Sequence, residues 1–299
     1  MLSRRTILTT GAALLAGLGP APAASDAALA QRFAALEAES GGRLGIHARD
    51  TRTGAGFGHR ADERFPMCST FKLLAAGAVL ARVDAGRDSL GRRIAYTAAD
   101  LVDYSPATQA HLREGSMALA DLCEAAVTLS DNTAGNLILS TLGGPAGLTA
   151  HLRTLGDPVT RLDRTEPTLN EAAPGDPRDT TSPAAMVADL ERLTLGTALT
   201  AASRDTLVGW LRGNRTGGAR LRARLPEGWR VGDKTGSGER GTTNDVGLLW
   251  PPDGAPILVA AYLTDTTAPV ERRNAILAEA GRAIAEAFGP NPENPRPPR

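Results

Sequence analysis

Strand-like patterns fall only near the two ends of this 299-residue chain, and helical spacing fills the middle. Near the start, Leu44, Ile46 and Ala48 alternate with Gly45, His47 and Arg49, and Thr53-Gly54 turns the chain into a second strand over 55–59. Near the end, 230–234, 246–250 and 256–263 read as three more strands joined by tight turns. Helices are expected over 27–39, from the spacing of Leu29, Phe33 and Leu36, and over 271–288. Strands that are distant in sequence but similar in kind pair most simply in one antiparallel sheet. The expected fold is therefore α+β: an antiparallel sheet of about five strands flanked by the terminal helices, plus an all-helical lobe, with a cleft between them where a site would lie. The α/β lobe takes 25–60 and 211–288, and the helical lobe takes 61–210. Inside the helical lobe 157–178 is rich in proline and poor in apolar residues, a long ordered loop of the kind that carries function. Residues 289–299 hold five prolines and read as a disordered tail.

Residues 1–24 read as an export signal. Arg4-Arg5 precedes a mostly apolar run over 7–18, and Ala21-Pro22-Ala23 fits a small-x-small cleavage site. The paired arginines are of twin-arginine type, and the apolar run is too short to span a bilayer. The mature chain is expected to start near Ala24 or Ser25, to keep no membrane anchor, and to work as a monomer in the periplasm or the medium. Net charge is zero and the arginines are dispersed among acids, so no nucleic-acid partner is expected. The histidines, His47, His59, His111 and His151, are isolated from one another and from Cys68 and Cys123. No metal or other cofactor is expected. The two cysteines alone establish no disulfide, and both lie in apolar stretches that suit buried free thiols.

Only two of the 33 basic residues are lysine, Lys72 and Lys234. A lysine amine can be desolvated until it accepts a proton, which a guanidinium does not do. In Ser69-Thr70-Phe71-Lys72 the hydroxyl and the amine stand three apart at the start of an apolar helix, so both lie on one face. That pairing can activate a serine nucleophile. Alone, it also fits a buried serine beside a lysine that packs its stem. Ser130-Asp131-Asn132 interrupts two helical stretches, as a second hydroxyl facing the first or as an ordinary N-cap. Lys234-Thr235-Gly236 opens a stretch that matches G-x-G-x-x-G through Gly241, yet a strand follows the glycines. A dinucleotide site needs a helix there, so this is a strand-to-strand connection offering a cation and backbone N–H groups to an anionic ligand.

These three pieces, in this order, resemble the serine β-lactamases and penicillin-binding proteins. The loop reading Arg161-Leu-Asp-Arg164-Thr-Glu166-Pro167-Thr-Leu-Asn170-Glu, followed by Arg178-Asp179, is similar to the omega loop, here 161–179, of class A β-lactamases. The resemblance implies hydrolysis of a small-molecule β-lactam through a serine acyl-enzyme. It implies Ser69 as nucleophile, with its own N–H and that of Ser237 as the oxyanion hole, and Ser130 as proton carrier to the leaving nitrogen. Glu166 and Asn170 would hold the deacylating water, and either Lys72 or Glu166 through a water would be the acylation base. Asn132 would bind the substrate's side-chain amide; Lys234, Thr235 and Ser237 would bind its carboxylate. Tyr104 would wall the entrance or simply pack. A cis Glu166–Pro167 bond is also implied.

Departures from the family pattern are specific. The strand after Lys234-Thr235-Gly236 lacks the arginine that some members use on the carboxylate, and Arg220 is the expected substitute. The family's cysteine partners for Cys123 and Cys68 are here Ala76 and Gly238, so neither family disulfide can form. Rival readings are a D,D-peptidase, a penicillin-sensing receptor and a non-catalytic cell-wall module. The Glu166/Asn170 loop argues against the peptidase, the lack of a tether against the receptor, and both lysines in motif positions against the module.

Overall fold

In chain order the elements are α1 (Ala23–Ser40), β1 (Arg43–Asp50), β2 (Gly56–His59), β3 (Phe65–Pro66), α2 (Phe71–Asp84), β4 (Arg93–Ala95), α3 (Pro106–Ala110), β5 (Ser116–Ala118), α4 (Leu119–Thr128), α5 (Asn132–Thr141) and α6 (Gly144–Thr154). There follow β6 (Thr180–Thr181), α7 (Pro183–Thr194), α8 (Ala201–Arg212), β7 (Arg230–Ser237), β8 (Thr243–Trp250), β9 (Ile257–Thr264) and α9 (Val270–Phe288). This computed structural model describes residues 23–252 and 254–289. The export signal expected over 1–24 and the tail expected over 289–299 lie outside it, except for residues 23, 24 and 289.

Five strands form one antiparallel sheet in the order β2-β1-β9-β8-β7. The two ends of the chain meet where β1 pairs with β9, with Leu44 opposite Leu263 and Ile46 opposite Ala261. One sheet face packs on α1 and α9 through Leu44, Ile46, Val259, Phe33, Ile276 and Ile284. The other face gives Val246, Leu248, Leu258, Ala260 and Tyr262 to the core of the helical region. β9 is therefore buried along its whole length, which explains its continuous apolar run.

α2 sits at the centre of the helical core, with every residue from Phe71 to Leu80 buried. Two short ladders, β3–β6 and β4–β5, interrupt what the sequence reads as purely helical. At two or three residues per strand they are too short to carry a period-two signal. The β3–β6 ladder has a positional effect. It fastens the end of the proline-rich loop next to the turn that carries Ser69, and Met67 N–H donates to Asp179 O at 2.9 Å just beyond it.

Candidate active site

Ser69 lies in a 3-10 turn, Cys68–Thr70, that runs directly into α2. Cys68 immediately before it has φ +45°, a left-handed conformation that costs a non-glycine residue and persists only where the surroundings hold it. Gly236 on β7 allows the strand to pass tight against this turn, since a Cβ there would come 2.7 Å from Met67 O. Asn244 on β8 ties the turn down from the other side, donating to Pro66 O and Met67 O.

Lys72, one helical turn after Ser69, is fully buried. Its Nζ lies 2.9 Å from Ser69 Oγ, 2.9 Å from Ser130 O, 2.6 Å from Asn132 Oδ1 and 3.0 Å from Glu166 Oε1. Burial pulls the ammonium below its ordinary pKa, while the Glu166 carboxylate opposes that shift. Ser69 Oγ donates to Glu166 Oε1 at 2.9 Å, so the carboxylate reaches the hydroxyl directly as well as the lysine. Glu166 Oε2 accepts from Asn170 Nδ2 at 2.5 Å, and Asn170 Oδ1 is buried without a hydrogen-bond partner. The Glu166–Pro167 bond is cis.

The Ser130-Asp131-Asn132 segment serves two purposes. Asp131 is the N-cap of α5, accepting from Ala134 N at 2.8 Å and from Ala107 and Thr108 N at 2.9 Å. Ser130, at φ +60°, and Asn132 flank that cap and line the cleft. The Ser130 hydroxyl accepts from Lys234 Nζ at 2.9 Å; Lys72 meets only its backbone carbonyl. Lys234 is fully buried, and burial, then Lys72 and then Arg220, push its pKa well below the ordinary lysine value. Three buried cations around one cleft favour an anionic ligand, which would relieve their mutual repulsion.

Arg220 is not a surface arginine. It is 8 % exposed and donates to Gly236 O at 2.8 Å, Asn244 O at 2.6 Å, Ser237 Oγ at 2.6 Å and Asn274 Oδ1 at 3.1 Å. Tyr104 is 62 % exposed at the rim, so it does not pack inward, and its carbonyl accepts from Asn132 N. The cleft is about 390 Å³ and its lining includes Ser69, Tyr104, Asn132, Asn170, Thr235 and Ser237. A larger hollow of about 750 Å³ beside β2 holds none of the candidate groups. Eight of the eleven residues expected from the sequence line this cleft, and the other three are buried in contact with lining hydroxyls: Lys72 and Glu166 with Ser69, and Lys234 with Ser130.

Sequence reasoning missed two contributors, Asn136 and Thr216, and left the N-cap reading of Ser130-Asp131-Asn132 open beside the functional one. Asn136, one turn after Asn132 on α5, brackets the Glu166 backbone. The N-cap reading holds: Asp131 caps α5 and so holds the segment that presents Ser130 and Asn132. Thr216 lines the cleft and contacts Thr235. The helical spacing of Asn132 and Asn136 was the one available signal for Asn136; Thr216 sits in a loop with no periodicity to read. Among the described residues no cluster of three or more His, Cys, Asp or Glu could hold a metal, and no helix is long and apolar enough to cross a membrane.

A family model for the β-lactamase enzyme family matches residues 28–288. The chain is 52% identical over 258 residues to β-lactamase AST-1 of Nocardia asteroides, covering 86% of this chain and 83% of the relative. It is 48% identical over 286 residues to β-lactamase Toho-1 of Escherichia coli, covering 95% and 98%. Among solved structures, an ancestral (GNCA) class A β-lactamase is 62% identical with a TM-score of 0.86, covering 87% of this chain and all of that one. The putative class A β-lactamase PenP from Rhodopseudomonas palustris is 60% identical with a TM-score of 0.85, covering 87% and 99%. Likeness of this extent in both sequence and fold, over the whole span that carries Ser69, Lys72 and Glu166, makes the chain a member of the class A serine β-lactamase family.

Proposed function

We propose that this protein hydrolyses the β-lactam amide bond of penicillins and cephalosporins through an acyl-enzyme on Ser69, giving antibiotic resistance. The carrying observation is that Ser69 Oγ contacts both Lys72 Nζ and Glu166 Oε1, while Asn170 holds the other oxygen of the same carboxylate. Either base can take the serine proton as Oγ bonds to the lactam carbonyl carbon. The ring C–N bond then breaks and Ser130 delivers a proton to the nitrogen, its hydroxyl oriented by Lys234. The Ser69 and Ser237 N–H groups stabilise the oxyanion. Water then attacks the ester, Glu166 takes its proton, and Ser69 Oγ leaves protonated. Asn170 Oδ1, a buried acceptor with no partner, suits a water held between Asn170 and Glu166. Lys234, Thr235 and Ser237, backed by Arg220, bind the substrate carboxylate. Asn132 binds the side-chain amide and Tyr104 walls the entrance. The protein acts as a monomer after export, and its N-terminal arginine pair directs it to the twin-arginine route.

Turnover of a chromogenic cephalosporin tests the activity, and Glu166→Ala tests the division of labour. The variant should acylate with penicillin and release it very slowly, leaving an adduct with the mass of the whole penicillin; Ser69→Ala should form none. Wild-type turnover by Glu166→Ala would remove the deacylation role and with it the preference over a D,D-peptidase.

A further inference from the structure

Behind the proposed carboxylate pocket runs a short polar chain whose proton order can be read from chemistry alone. Asn214 is buried and its amide is fixed at both ends. Its Nδ2 donates to Asp233 Oδ1 at 2.7 Å, and its Oδ1 accepts from Thr216 N–H at 3.0 Å. The flipped amide would set oxygen against a carboxylate and NH2 against an N–H, so only one orientation fits. Arg222 also donates to Asp233 and holds the far end.

An amide oxygen only accepts. Thr216 Oγ1 lies 2.8 Å from Asn214 Oδ1, so its proton points there. Thr216 Oγ1 and Thr235 Oγ1 are 2.5 Å apart. With the Thr216 proton committed to Asn214, Thr235 is the donor in that contact. The order in the free protein is Thr235 to Thr216 to Asn214. Thr235 therefore turns lone pairs toward the cleft, which an incoming carboxylate does not bind. For Thr235 to donate outward its hydroxyl must rotate, and the Thr216 hydroxyl must turn its proton from Asn214 to Thr235. Asn214 Oδ1 then keeps the Thr216 N–H. The exchange moves no proton between heavy atoms; two hydroxyls rotate.

We propose that Thr216 is a positioning residue whose two-position hydroxyl decides whether Thr235 can donate to an anionic substrate group. The inference rests on the carboxylate reading of Thr235 made above. It makes Thr216 a restraint on carboxylate binding, because each binding event gives up the Thr216–Asn214 hydrogen bond.

Thr216→Val removes the competing acceptor and leaves the Thr235 proton only the cleft. For benzylpenicillin kcat/KM should rise and KM fall by about fivefold, the worth of one neutral hydrogen bond, with kcat unchanged. The methyl ester of benzylpenicillin, whose charge is masked, should gain nothing. Thr216→Ser should behave as wild type. Unchanged or raised KM in a Thr216→Val variant of wild-type melting temperature would overturn the proposal, as would an equal gain for the ester. Neutron diffraction from the free, deuterated wild-type protein reads the order directly and does not depend on the variant's folding. A deuteron on Thr216 pointing to Thr235 rather than to Asn214 would also overturn it. Failure of the wild type to hydrolyse benzylpenicillin would instead sink the proposed function, and the neutron result would still decide the proton order.

Discussion

Asn136 grips the backbone of Glu166 at both ends: its Oδ1 accepts from Glu166 N–H at 2.8 Å and its Nδ2 donates to Glu166 O at 2.9 Å. A helix on one side of the cleft thereby sets the position of a carboxylate carried by a loop. The loop is pinned again at its ends, where Arg164 Nε meets Asp179 Oδ2 at 2.6 Å and Asp179 Oδ1 accepts from the N–H groups of Asp163 and Arg164. Asn136→Ala should lose both contacts and leave part-buried backbone groups unpaired, costing roughly 1–3 kcal/mol. Deacylation should suffer more than acylation, because Lys72 offers acylation a second route for the serine proton, whereas the proposed deacylation step has only the water aimed by Glu166. A pre-steady-state burst of acylation followed by slow turnover is the expected record. Equal slowing of both half-reactions would count against the clamp.

The residues proposed as catalytic were legible because S-x-x-K, S-D-N and K-T-G each carry their spacing locally and because these motifs, with the 161–179 loop that holds Glu166 and Asn170, resemble a known family. Ser69 and Lys72 share a helix face, and Lys234 through Ser237 share a strand edge, so near neighbours in sequence remain near in space. The groups that hold them were less legible. Asn136 and Glu166 are thirty residues apart, and Thr216 and Thr235 nineteen. Nothing in either local pattern says that they meet. The meeting of β1 with β9 was inferable from similar patterning at the two ends, whereas β3–β6 and β4–β5 are too short to be seen in that way.

Arg220 shows a residue whose surroundings change the expectation. As a mere carboxylate ligand its loss would affect recognition and leave folding nearly untouched. It also donates to the carbonyls of Gly236 and Asn244 on the paired strands β7 and β8. Arg220→Ala should therefore lower both kcat/KM and the melting temperature. Roughly 1.5–3 kcal/mol for a lost charge-assisted contact corresponds to about 10- to 150-fold in kcat/KM. A parallel loss of a few degrees is expected in thermal unfolding. A variant with normal stability and impaired kinetics would restrict Arg220 to the ligand role.

Cys68 and Cys123 are both free and fully buried. Burial pushes both thiols above the usual cysteine range, which suppresses the reactive thiolate. Cys68 Sγ packs where a Cβ on Gly238 would come 2.6 Å from it. An aromatic disulfide reagent should react with neither cysteine in the native protein and with two per chain after unfolding without reductant. No thiols on unfolding would mean that the two are paired.

The base of the proline-rich loop carries a carboxyl pair. Asp189 on α7 and Asp157 are within hydrogen-bonding contact, and Asp189 Oδ2 is buried with no protein donor in reach. Two buried carboxyl groups placed this way repel when both are ionised, which favours a proton on Asp189. Burial first, and then Asp157, push Asp189 up to about 8, although Arg192 donates to its Oδ1 at 3.0 Å. Asp157 is held below its usual value despite burial by its bonds to Asp189, Thr160 and Val159. The sign for Asp189 follows from linkage. Its folded pKa lies above that of the unfolded chain, so the folded form retains a proton that the unfolded form releases. The associated stability is full below about pH 4 and declines as pH rises toward about 8. Asp189→Asn supplies a permanent N–H donor to Asp157 and keeps an oxygen for Arg192, with no proton to lose. Its melting temperature should match wild type near pH 5 and exceed it near pH 8.5, by about 2–4 °C if the gain is about 1 kcal/mol. Thermal unfolding of both proteins across that range is the check. A difference that does not grow with pH would mean that the pair carries no shared proton.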